Sequence, residues 1–186
     1  MKTIMTLVAA LVLALTMPAA ATEAGWALLR NGGQVVLLAH ARAPGSGDPA
    51  NLEIGNCRTQ RNLSDQGRQQ ARRIGALFAA RAEPVDHIYS SRWCRTLETA
   101  ELAFPRIELE ELAALDPAPA DEEHAAEARR IIDELIRDYS GRGNLVLLTH
   151  PDTIAMLTGT RPREGEAVIV NAGDNGLVIH GRIVFN

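Results

Sequence analysis

From Gly33 to Ala39 the chain reads Gly-Gln-Val-Val-Leu-Leu-Ala, a short and almost unbroken apolar run behind a glycine turn. It lacks the alternation of a half-exposed strand, so it predicts a strand buried on both faces. Asn144-Leu145-Val146-Leu147-Leu148-Thr149 repeats the pattern, and Val85-Asp86-His87-Ile88-Tyr89-Ser90 predicts another strand with more polar interruption. Elsewhere the period is helical. Ser64 is a cap residue, and Ala71, Ile74, Leu77 and Phe78 then share one stripe opposite arginines up to about Arg81. A second helix is expected from about Ser91 to Ala103, and a short one begins at Ile154. Between them, Glu122 to Tyr139 is strongly amphipathic, with Ala126, Ile131, Leu135 and Ile136 expected inward. Residues 43–60, rich in Gly, Pro, Asn and Asp, and residues 105–121, with prolines among acids, read as loops. Ala167 to Asn171 and Gly176 to Phe185 predict two or three final strands, with a hairpin near Gly181.

Strands alternating with helices predict an α/β domain, a three-layer sandwich with a mostly parallel central sheet and helices on both faces. In such sheets the carboxyl ends of the strands carry the ligand site. His40 follows the first strand, Ser90-Ser91 close the second, and His150 follows the third. Three polar positions at equivalent strand ends point to one crevice. Arg95, one turn into the helix after Ser91, is placed to face it. A guanidinium beside helix N–H groups suits a phosphate or a carboxylate.

The chain has 186 residues, 46% of them hydrophobic and 23% charged, which fits one globular domain with a core. A formal net charge of -4 and only 4% aromatic residues argue against nucleic acid as a partner. Met1-Lys2-Thr3, an apolar run from Ile4 to Leu15 and Pro18-Ala19-Ala20-Ala21 form the three-part pattern of a secretory signal peptide. A cut after Ala21 is expected. It leaves residues 22–186 as a single periplasmic or secreted domain, without stable membrane insertion, because the apolar run is short for a bilayer. Lys2 is the only lysine, so neither Schiff-base nor P-loop chemistry fits the mature chain.

Export changes the meaning of Cys57 and Cys94. Two cysteines in an oxidising compartment suggest one disulfide, worth roughly 2–4 kcal/mol. The competing readings are a catalytic thiol at Cys94, with Arg92 and Arg95 nearby to favour a thiolate, or a thiol-disulfide protein. No His-x-x-x-His or Cys-x-x-Cys spacing supports a metal site, and the Gly-x-Ser-x-Gly elbow of many hydrolases is absent.

Four segments carry a resemblance. Leu37-Leu38-Ala39-His40-Ala41, Leu63-Ser64-Asp65-Gln66-Gly67-Arg68-Gln69-Gln70-Ala71, Ser90-Ser91-Arg92-Trp93-Cys94-Arg95-Thr96-Leu97-Glu98-Thr99-Ala100 and Thr149-His150 are similar to the motifs of the histidine phosphatase superfamily, the phosphoglycerate-mutase-like fold. Residues 43–49, with Cys57-Arg58-Thr59-Gln60-Arg61-Asn62-Leu63, resemble a small exported bacterial branch. That branch includes a phosphatase type acting on lipopolysaccharide-core heptose phosphate, so the resemblance extends to a sugar or lipopolysaccharide-core phosphate as substrate. It implies that His40 is a nucleophile accepting the phosphoryl group, with Arg95 and His150 on the phosphoryl oxygens. Arg42 and Arg61 are further substrate-binding candidates. A small phosphorylated substrate is expected, with no metal or other cofactor.

The chain departs from the family at Ala39, where an arginine normally precedes the nucleophile. Losing one pre-organised donor typically costs about 10²–10³ in rate. Arg42, two residues beyond His40, is the candidate to fill the vacancy. The alternative is a catalytically weakened pseudo-phosphatase that binds a phosphorylated or anionic ligand. Leaving-group departure also needs a general acid. Among Glu110, Glu111, Asp116 and Glu122, Asp116 is the choice.

Overall fold

Residues 21–30 are helical (α1) and lead into β1 (Val35–Ala39), α2 (Asp65–Arg81), β2 (Val85–Ser90) and α3 (Cys94–Ala103) in this computed structural model. β3 (Leu109–Glu111), α4 (Glu122–Asp138), β4 (Asn144–Thr149), α5 (Pro151–Thr158), β5 (Glu166–Gly173) and β6 (Gly176–Val184) follow. The structure describes residues 21–82, 84–174 and 176–185, so the expected leader, Ala21 apart, lies outside the described residues.

One six-stranded sheet runs in the order β3-β2-β4-β1-β5-β6. The pairs β3-β2, β2-β4 and β4-β1 are parallel, whereas β5 and β6 are antiparallel. The two least interrupted apolar runs, β1 and β4, are adjacent, and every residue of both is buried. Alternate residues then supply two cores. Val36, Leu38, Val146 and Leu148 pack with Trp26 and Leu29 of α1, Ile74 and Phe78 of α2, and Ala100 and Ala103 of α3. Val35, Leu37, Leu145 and Leu147 pack with Ile132 and Ile136 of α4 and Ile154 of α5. Helices therefore cover both faces, and each fully buried Leu or Ile contributes about 1.5–3 kcal/mol.

Close backbone approach sets α2. Ser64 caps it by accepting from Gly67 N at 3.0 Å. A Cβ on Gly67 would overlap the Arg42 carbonyl oxygen, and one on Gly75 would overlap that of Ala103. Glycine at these two positions lets α2 lie against the segment leaving β1 and against α3.

Several elements differ from expectation. The helix at 21–30 carries no sequence signal separable from the leader pattern. Residues 105–121 are not all loop, because β3 pairs with β2 and a 3-10 turn spans Ala113–Leu115. α3 starts at Cys94 rather than Ser91, and α5 starts at Pro151, a residue suited to a first helical turn, rather than Ile154. In α4 the buried stripe is Ala125, Ala128, Ile132 and Ile136, so Ala126 faces out and Ile131 and Leu135 sit at the margin. The last hairpin turns between Gly173 and Gly176; Gly181 instead pairs with Ile169 beside a register shift. Among the described residues no helix is long and apolar enough to cross a membrane.

Candidate active site

Because β2, β4 and β1 are neighbours, the residues just past their carboxyl ends meet. His40 N donates to Thr149 O at 3.0 Å and Ser91 N to Leu148 O at 2.9 Å, continuing the ladders into the crevice. The His40 and His150 rings lie 5.3 Å apart at 65°.

His40 is 1% exposed. Its Nδ1 lies 2.8 Å from Ala41 O, and a carbonyl only accepts, so Nδ1 carries the proton and Nε2 keeps a lone pair. The next residue is fixed as well: Ala41 N donates to Thr99 Oγ1 at 3.0 Å, and Thr99 Oγ1 donates to Arg95 O at 2.6 Å. Burial, followed by the Arg95 and Arg61 charges, outweighs the Ala41 hydrogen bond and lowers the His40 pKa to about 3.

His150 is held by a directed chain. Arg95 Nη2 lies 3.2 Å from His150 Nδ1 and can only donate, so the ring proton is on Nε2. Nε2 donates to Ser91 Oγ at 2.9 Å, and Ser91 Oγ donates to Asp116 Oδ1 at 3.0 Å. Burial, then the charge of Arg95, lowers His150 well below its ordinary value. His150 Nδ1 thus accepts from Arg95 rather than offering it a competing proton.

Asp116 anchors this chain. Its Oδ1 also accepts from Arg92 N at 2.9 Å, and its Oδ2 accepts from Arg92 Nε at 2.8 Å and Nη2 at 2.5 Å. Thr153 Oγ1 donates to Asp116 O at 2.7 Å and fixes the backbone there. The carboxyl chosen as acid from the sequence is therefore one hydroxyl removed from His150 and clamped by an arginine. The other candidates, Glu110, Glu111 and Glu122, are exposed.

Arg95 is 3% exposed and faces the crevice as its spacing implied. Its Nη1 and Nη2 donate to Asp48 Oδ1 at 2.6 Å and Oδ2 at 3.0 Å, a fork-to-fork pair. Its buried Nε has no partner among the described residues. Asp48, which the sequence did not single out, also accepts from Trp93 Nε1 at 3.2 Å. Burial raises its carboxyl, but the hydrogen bonds and charge of Arg95 prevail and hold it below the usual range.

Two arginines separate here. Arg42 is exposed and donates to Gln66 Oε1 at 3.0 Å, so it lies along α2 and does not fill the place left by Ala39. Arg61 sits in the pocket wall. It donates from Nη1 to Ala43 O at 2.7 Å and Glu164 Oε1 at 3.2 Å, its buried Nε has no partner among the described residues, and its charge lowers the pKa of both histidines. The Ala39 methyl is fully buried in the cluster that includes Leu115 and Ile154.

Cys57 and Cys94 form a disulfide, and no free cysteine remains, so Cys94 is not a free thiol beside Arg92 and Arg95. With the 2.9 Å bond from Cys94 N to Gln60 Oε1, the disulfide ties the loop carrying Asp48 and Arg61 to the first turn of α3, beside Arg95.

The family model described as "Histidine phosphatase superfamily (branch 1)" matches residues 35–117. No curated protein matches the sequence. Among solved structures, the protein histidine phosphatase SixA complexed with tungstate has a TM-score of 0.57 at 16% identity, covering 81% of this chain and 96% of that one. Phosphoserine phosphatase from Entamoeba histolytica, in complex with 3-phosphoglyceric acid, has a TM-score of 0.60 at 14% identity, covering 81% and 96%. A mycobacterial glucosyl-3-phosphoglycerate phosphatase complexed with VO3 has a TM-score of 0.58 at 16% identity, covering 80% and 97%. At these identities the shared feature is the fold.

Proposed function

We propose that this chain is an exported phosphatase of the histidine phosphatase superfamily, whose family model matches residues 35–117, and that it hydrolyses a phosphomonoester through a phosphohistidine on His40. The reading rests chiefly on one observation. A buried imidazole with its Nε2 lone pair available lies near two guanidiniums, buried on Arg95 and half-buried on Arg61, whose Nε atoms have no hydrogen-bond partner among the described residues.

In the first step His40 Nε2 attacks phosphorus while the bond to the leaving oxygen breaks. The Nδ1–H bond to Ala41 fixes the ring and spreads the positive charge that develops. Arg95 and Arg61 hold the phosphoryl oxygens, so the arginine absent at Ala39 is replaced from the loop before α2 rather than from β1. A bound dianion also supplies the counter-charge that lets His150 Nδ1 take up a proton and donate. Water then attacks the phosphohistidine, releasing phosphate and restoring Nε2. Positioning and electrostatics carry the reaction. The tripartite leader and the disulfide both suit an oxidising compartment. A small phosphorylated molecule, with phosphorylated sugars and lipopolysaccharide-core fragments first in the screen, is the proposed substrate class.

The test is phosphate release by the mature protein across that screen. His40→Ala abolishes release, Arg61→Ala lowers kcat/KM by roughly 10²–10³, and Arg42→Ala leaves it unchanged. Ala39 specifically favours a second reading, a binding protein without turnover. Tungstate binding with no phosphate release from any compound in the screen would establish that reading and overturn hydrolysis.

A further inference from the structure

Beyond the phosphate-gripping groups, one carboxylate pairs with Arg95 and is carried by the glycine-containing loop between β1 and α2. Asp48 holds both Nη atoms of Arg95 and reaches the indole N–H of Trp93, and its charge is felt at His40. It sits just past Gly45 and Gly47, which have φ of +89° and +70°, in an exposed stretch. The far end of the same loop is fixed by the Cys57–Cys94 disulfide.

The other pocket carboxylates are committed elsewhere. Asp116 is clamped by Arg92 and Ser91. Glu164 Oε1 accepts from Arg61 and its Oε2 accepts from Ala43 N at 3.2 Å, an anchoring pair.

Resting on the hydrolytic reading above, we infer that Asp48 is the general acid that protonates the leaving oxygen. Its carboxylate occupies the Arg95 fork that a phosphoryl group would take. An incoming phosphoryl dianion displaces it from that fork, leaving Asp48 beside the substrate with Arg95 no longer neutralising it. A carboxylate facing a dianion gains proton affinity, and it takes a proton from solvent. As the His40 Nε2–phosphorus bond forms, the bond from phosphorus to the leaving oxygen breaks. Its electron pair stays on that oxygen, which receives the Asp48 proton. In the second step Asp48, again a carboxylate, accepts a proton from the attacking water. The new phosphorus–oxygen bond forms, the phosphorus–nitrogen bond breaks, and its electron pair returns to Nε2. Each turnover therefore restores both groups.

Leaving-group dependence tests this role, using the mature disulfide-bonded protein and two substrates. An alkyl phosphate leaves as a basic alkoxide and needs the acid; 2,4-dinitrophenyl phosphate leaves as a stable phenolate and does not. Asp48→Asn is expected to lower kcat/KM for the alkyl ester by about 10²–10⁴. The dinitrophenyl ester should change only a few-fold, and Asp48→Glu should recover part of the alkyl activity. Equal loss on both esters would overturn the proposal in favour of a structural role. Unchanged or improved turnover of both, with a lower KM, would overturn it in favour of a carboxylate that merely competes for the phosphate seat. A variant that fails to fold is recognised by its far-UV circular dichroism, and the comparison then passes to Asp48→Ser under the same criteria. These failures appear within an active parent enzyme that His40→Ala silences. An inert parent is the distinct outcome in which hydrolysis itself, and the acid with it, is rejected.

Discussion

Two buried histidines kept neutral among arginines make the molecule's stability depend on pH in a definite direction. Burial, aided by Arg95 and Arg61, holds His40 at about 3, and His150 is also lowered well below its ordinary value. In the unfolded chain both return to about 6.5. Between these values the unfolded state binds protons that the folded state refuses, so acidification favours unfolding. The stability present above about pH 6.5 is lost as pH falls toward about 3, at up to about 1.4 kcal/mol per pH unit for each group. Urea midpoints measured from about pH 7 to about pH 4.5 should therefore fall, and the slope should be shallower in His40→Ala. Parallel slopes for parent and variant would contradict the buried neutral imidazole. His40, His150 and Arg95 were legible in the sequence because each sits at a fixed offset from a strand end or helix start. Asp48 was not, since its partner Arg95 is 47 positions away and only the folded loop joins them. Arg42 looked better placed than Arg61 for an equally local reason: nearness to His40 along the chain says nothing of the α2 surface that holds it.

The loop between β1 and α2 has little secondary structure of its own, only the 3-10 turn Cys57–Thr59, yet it delivers Asp48 and Arg61 to the pocket. It is tied to the first turn of α3 by the Cys57–Cys94 bond and by the hydrogen bond from Cys94 N to Gln60 Oε1. Removing the disulfide should cost roughly 2–4 kcal/mol, as expected for closing a loop of this length. The effect should not stop at stability, because the same bond positions the loop against Arg95. A Cys57→Ser, Cys94→Ser double variant is expected to melt at lower temperature and, well below that melt, to bind tungstate more weakly. Weaker melting with unaltered tungstate affinity would show that the loop is positioned by other contacts. At this scale the sequence resolved elements with long, unambiguous periods and missed those defined by partners. β3 is three residues long and exists through pairing with β2. The buried stripe of α4 is set by the sheet it meets, and two adjacent isoleucines, Ile131 and Ile132, left that rotation undecided by one residue.

For the molecule as a whole, where the expected leader is cut would decide whether the core can close. Trp26 in α1 is 1% exposed, meets Phe78 and Phe185 at ring separations of 5.6 Å and 5.7 Å, and lies under the Arg81 guanidinium at 4.9 Å. Gly25 packs so closely that a Cβ there would contact Ile183 and the Arg182 carbonyl. The segment immediately after the expected cut is therefore part of the core that joins α1, α2 and the last strand, although the sequence offered it only as the tail of an address. Cleavage after Ala21 keeps this corner; cleavage beyond Trp26 would remove an anchor whose truncation to alanine alone typically costs about 3–5 kcal/mol. Expression of the full chain in a bacterium with a periplasm should yield an osmotic-shock-released protein whose intact mass begins at Thr22 and whose cysteines are both oxidised. A version starting at Thr22 and kept in a reducing cytosol should carry free thiols and melt at lower temperature until oxidised. Retention of residues 1–21 on a cytosolic product would reject export, and a mature mass beginning after Trp26 would show that the corner built around that indole is dispensable.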